Sequence, residues 1–132
     1  MKKVFALLLC LIAVPASAQQ LNIAVTPLHS VSQESSHIFK AAPGRLYQIS
    51  GSNGTVTAGF MMVFDSATVP STGAVTPVLC RALPASGTVV IDFIPTPSAQ
   101  FSNGIVATVS SGANCSTYTT GTITAWFDAI LQ

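Results

Sequence analysis

The sequence predicts an all-β fold: a single sandwich of about eight short antiparallel strands. Three observations carry this. Apolar and polar residues alternate with a period of two in several segments, which is the mark of a strand lying on a core. Clusters of Gly, Pro, Asn and Ser separate these segments at intervals of roughly 8–12 residues. No stretch beyond Ala18 shows the spacing of an amphipathic helix.

The chain opens on a different pattern. Met1-Lys2-Lys3 is a short cationic head, Val4 to Val14 is an unbroken apolar run, and Ala16-Ser17-Ala18 supplies small residues after Pro15. That order predicts a secretory signal over 1–18, with signal cleavage leaving one domain over 19–132. Residues 19–38 read as an N-terminal arm or edge strand of that domain. Eleven apolar residues are short of the roughly 20 a spanning helix needs, so no permanent membrane span is expected. Cys10 leaves with the signal, and the odd count becomes an even pair, Cys80 and Cys115. In an oxidising compartment the simplest outcome is one disulfide between them, the alternative being two buried thiols. Export to a bacterial periplasm or the extracellular medium is the expected location.

Four segments carry the clearest alternation. In Thr55 to Asp65, Val56, Ala58, Phe60, Met62 and Phe64 form a wholly apolar face expected to lie on the core, opposite Thr57, Gly59, Met61, Val63 and Asp65. Ser86 to Ile94 sets Val89, Ile91 and Phe93 against Thr88, Val90 and Asp92. Gly104 to Ser110 turns Ile105, Ala107 and Val109 inward. Thr122 to Leu131 sets Ile123, Ala125, Phe127 and Ala129 against Thr122, Thr124, Trp126 and Asp128. Weaker strands are expected over Leu21–Val25, Ser35–Lys40, Arg45–Ser50 and Val78–Leu83. Turn chemistry marks the joins at Pro43-Gly44, Asn53-Gly54, Pro70 to Gly73, Pro84 to Gly87, Pro95-Thr96-Pro97, Asn103-Gly104 and Ser111-Gly112. The immunoglobulin order of Cys, Trp, Cys is missing because Trp126 follows both cysteines, so a jelly-roll-like sandwich is preferred.

Charge is scarce: 7% of residues are Asp, Glu, Lys or Arg, against about 25% in an ordinary domain. After signal removal three cations face four carboxylates, a net charge of −1. Too few cations remain for a phosphate-binding groove, so nucleic acid is not an expected partner. The same poverty speaks against acid–base catalysis. No Ser lies in a GxSxG context, no phosphate-binding glycine loop is present, and no cysteine–histidine cluster suggests a metal or other cofactor. A small hydrolase would have to pair His37 with Asp65 or Asp92, and ranks third among the readings. Ser and Thr make up 28 of the 114 residues after the signal, a surface hydrated without charge. Such a surface lacks the lysines that blunt sheet edges, which points to self-association or a protein partner. Trp126, on the strand face opposite the regular apolar one, and Tyr118, in the Cys115–Gly121 loop, are the candidate binding residues; the alternative for Trp126 is packing under a loop or into the second sheet. Exposed aromatics of this kind stack on sugar rings, so a carbohydrate- or protein-binding module is the alternative.

The run Phe39-Lys40-Ala41-Ala42-Pro43-Gly44-Arg45-Leu46-Tyr47, then Thr57 to Asp65, Val69-Pro70, Gly73 to Val78, Phe101 to Ile105 and Val109-Ser110-Ser111, resembles a family of small β-rich proteins encoded in tailed-phage and prophage genomes. The resemblance covers Phe39 to the C-terminus. It implies a compact β-domain and, by association, a structural or interaction role without catalysis, in a virion if the N-terminal segment is not a signal.

Overall fold

The computed structural model describes residues 24–93 and 99–132, so the signal segment 1–18, most of Leu21–Val25 and the turn at Pro95-Thr96-Pro97 lie outside the described residues. Eleven strands follow in order: β1 (Thr26–His29), β2 (Ser36–Lys40), β3 (Gly44–Asn53), β4 (Gly59–Asp65), β5 (Gly73–Ala74), β6 (Leu79–Leu83), β7 (Thr88–Asp92), β8 (Ala99–Phe101), β9 (Ile105–Ser110), β10 (Thr117–Tyr118) and β11 (Ala125–Leu131). No helix occurs among the described residues, and none there is long and apolar enough to cross a membrane. The fold is all-β.

Two antiparallel sheets share one core. The front sheet runs β1-β11-β3-β7, with β8 also paired to β3; the back sheet runs β2-β9-β4-β6. Leu46, Ile49, Ile91, Ala125, Phe127 and Ala129 from the front meet Met61, Val63, Leu83, Ile105, Ala107 and Val109 from the back, and all are buried. Period-two alternation delivers these residues, since successive side chains leave a strand on opposite faces. In β3 the register against β11 shifts near Tyr47, which lets both Leu46 and Ile49 turn inward although three residues apart. Gly51 permits the close approach of the sheets: a Cβ there would stand 2.7 Å from the Met61 sulfur.

The inward residues expected for β7, β9 and β11 face the core. The Thr55–Asp65 segment departs from expectation twice. Its strand begins only at Gly59, because Asn53 folds the preceding residues into a turn: its amide donates to the Thr57 and Pro84 carbonyls and its oxygen accepts from the Thr55 amide and hydroxyl. Val56, assigned to the core face, is 88% exposed in that turn. The faces are also exchanged. Met61 and Val63 meet the main core, whereas Phe60, Met62 and Phe64 face outward from the back sheet. They remain covered because the ribbon formed by β5 and β10 lies over them, adding Tyr118 and Val75 to a second small core. The Cys80–Cys115 disulfide ties this ribbon's loop to β6, across a sequence separation of 35 residues.

Candidate functional site: the front-sheet face

The outer face of the front sheet is set by the residues that alternate with the core. Cross-strand register places Trp126, Ser52 and Thr88 in one row; His29, Asp128, Ser50 and Val90 in the next; and Pro27, Ile130, Gln48 and Asp92 in a third. Rows of this kind stand about 6.8 Å apart along a strand. Each row is laced across β3. The Ser52 and Thr88 hydroxyls lie 2.8 Å apart, the Ser50 hydroxyl donates to Asp128, and the Gln48 amide donates to Asp92. Trp126 is 43% exposed, and its own row carries no charge.

The loop beside Trp126 is shaped by Ser30. Its backbone amide donates to the Phe127 carbonyl, its buried hydroxyl accepts from the Phe127 amide, and Glu34 resumes pairing with Ala125. Val31 to Gln33 are therefore pushed out around position 126, with Val31 89% exposed. Gln33 accepts from the Thr124 hydroxyl and lies against Gly54, joining this loop to the one that exposes Val56. The indole thus stands at the end of the face beside the outward loop that carries Val31, and Gln33 links that loop to the turn that exposes Val56.

Tyr118 does not belong to this face. It is 1% exposed, sits in β10 against Met62 and Phe64, and lies on the opposite side of the molecule from Trp126. The disulfide loop folds it back over the sheet, an effect with no local signal in the sequence. Burial pushes its phenol pKa up. Cys80 and Cys115 are joined as expected.

The residues weighed for hydrolysis are engaged elsewhere. His37 Nδ1 pairs with Glu34 at 2.7 Å, and its ring packs edge-on to Phe39. Asp92 holds Gln48. Asp65 accepts the backbone amides of Ser102, Asn103 and Gly104. Chiefly the Asn103 and then the Ser102 amide hold its pKa below the ordinary 3.8. Ser66 closes its own turn by accepting from the Thr68 amide. A hollow of about 230 Å³ opens between Thr26, Leu28, Phe39, Lys40, Leu131 and Gln132. It is smaller than the roughly 300–1,000 Å³ of small-molecule sites and has one charged group. Among the described residues no three His, Cys, Asp or Glu side chains are grouped to hold a metal. No match to the chain was found among protein-family models, curated proteins or solved structures.

Proposed function

We propose that this chain is a non-enzymatic interaction domain of phage or prophage ancestry, exported to the periplasm or cell exterior, whose contact surface is the front-sheet face around Trp126. The observation that carries this reading is the half-exposed indole in an uncharged row, on a sheet face whose rows are laced across β3 by polar side chains. An aromatic ring of this size is normally covered, and leaving it open provides contact area with little side-chain entropy to lose. The signal pattern and the disulfide support export, since a disulfide persists in oxidising compartments. The sequence resemblance supports the ancestry. Fractionation of producing cells tests the reading. A chain starting at Gln19 should sediment with envelopes or particles, and Trp126→Ala should release it with its circular dichroism unchanged. Association equal to wild type in that variant overturns the assignment of the face, and an intact Met1 in purified particles overturns export.

A neutral glycan is the second reading, favoured by the hydroxyls of Ser52 and Thr88 beside the indole. A sugar ring stacks its C–H face on such a ring while its hydroxyls bond to neighbours. The chain has one Trp, so its emission reports this face alone. Titration with neutral oligosaccharides should shift that emission; a spectrum unmoved at millimolar sugar sets the glycan aside and leaves a protein contact.

A further inference from the structure

Sheet edges are templates for pairing, and natural edges are blunted by Pro, by bulges or by charge. Three edges of this sandwich are blunted. β1 carries Pro27, β2 has a register irregularity between Ile38 and Lys40, and β6 carries Arg81 at its centre. The fourth, β7, reads Thr88-Val89-Val90-Ile91-Asp92, with no Pro and no bulge, and its one charge, Asp92, lies at its end and accepts from Gln48. No described strand pairs with its far side, and Val90 at its centre is 51% exposed.

The direction of its free peptide groups follows from the ladder. The Phe93 amide donates to Tyr47 and the Gly87 carbonyl accepts from Asn53, so residues 87, 89, 91 and 93 direct their peptide groups at β3. By the alternation of antiparallel pairing, Thr88, Val90 and Asp92 direct theirs away from the sheet.

We propose that β7 pairs antiparallel with β7 of a second copy about a twofold axis at Val90, joining two front sheets into one. A twofold interface must be self-complementary, and this strand is. Val90 meets Val90, Val89 meets Ile91 on the core side, and the Thr88 hydroxyl meets the Asp92 carboxylate. The free groups of residues 88, 90 and 92 then form about six main-chain hydrogen bonds. Both outer faces look the same way, with the two Trp126 rings roughly 25–30 Å apart from strand spacing and rise. Two weak contacts so linked act with avidity. The purpose of the pairing thus rests on the contact-face reading, while its geometry does not.

Analytical ultracentrifugation of the full chain tests it, together with hydrogen exchange at two concentrations. The wild type should sediment at twice the chain mass at tens of micromolar. Val90→Lys places a charge at an exposed position and should return the mass to that of one chain, with circular dichroism unchanged. Exchange at the Thr88, Val90 and Asp92 amides should slow severalfold on going from dilute to concentrated protein, and should not in the variant. A wild type monomeric at hundreds of micromolar, a Val90→Lys protein that stays dimeric, or exchange at these amides independent of concentration each overturns the pairing. A monomer that still loses its target on Trp126→Ala would defeat the edge pairing alone and leave the contact face standing.

Discussion

Thr108 on β9 and Tyr118 on β10 bury hydroxyl oxygens that meet no hydrogen-bond partner among the described residues. A buried polar group without a partner forfeits its hydration, at a cost of about 1–3 kcal/mol. Tyr118 lies in the small second core and Thr108 is paired across the ladder from Met62 of that core, so removing the oxygen while keeping the shape relieves that cost. Tyr118→Phe and Thr108→Val should therefore each raise the unfolding free energy by about 1 kcal/mol, read from the denaturant midpoint at unchanged slope. A loss of stability in both would show that the hydroxyls are satisfied. Ser110, one turn of the ladder away, shows the satisfied case: its hydroxyl donates to the Thr117 carbonyl and accepts from the Gly112 and Thr119 amides. At this scale strand parity put Trp126 on the outer face but left open whether a loop or the second sheet covers it; it is 43% exposed. The place of Tyr118 was not legible in the sequence. Nothing within a few residues of Tyr118 records that a bond from Cys115 to Cys80 folds it onto Met62 and Phe64.

Strands with several alternations could be read from sequence; the short ones could not, and β1 begins at Thr26, just past the Leu21–Val25 segment expected as a strand. β7, β9 and β11 each carry several alternations, so their inward faces were fixed by their own residues. β5 and β10 have two residues each and β8 three, too few for any period to exist. β4 posed a different problem. Both its faces are apolar, and which one meets the main core depends on which one the ribbon covers, a choice made by the rest of the chain. That ribbon pairs through two residues on each side, so its hold on the back sheet relies on the disulfide. Closing a loop of this length in the unfolded chain contributes about 3–4 kcal/mol in the loop-entropy account. A Cys80→Ser, Cys115→Ser double variant should lose about that much stability. Its faster hydrogen exchange should concentrate in β5, β10 and the loop around Cys115, with β3 and β11 little affected at the same denaturant concentration. Uniform loss across both sheets would mean the ribbon and the sandwich unfold as one unit.

For the molecule as a whole, the decisive property is how little charge the folded domain contains and where it uses what it has. Asp65 ends β4 in the back sheet and takes three amides from the turn that leads from β8 of the front sheet to β9 of the back. One carboxylate thus fastens a crossing between the two layers. Gly104 completes the crossing, since a Cβ there would stand 2.5 Å from the Ser66 carbonyl and 2.7 Å from that of Lys40. The amides stabilise the ionised form, so the Asp65 pKa is lowered on folding. The unfolded chain then binds the proton more readily, and stability must fall as acid is added. The Asp65 contribution is fully present above about 3.8, the ordinary value, and is lost as pH falls through the lower folded value. With only four carboxylates beyond the signal segment, proton uptake at low pH builds little repulsion, so the acid limb should be shallow. Urea midpoints from pH 7 to pH 2 should stay level to about pH 4 and then decline. Asp65→Asn should start lower at neutral pH and decline less, because the group whose protonation drives the loss is gone. A variant with the same neutral stability and an equally steep acid limb would place the linkage elsewhere and reduce the Asp65 contacts to ornaments of the turn.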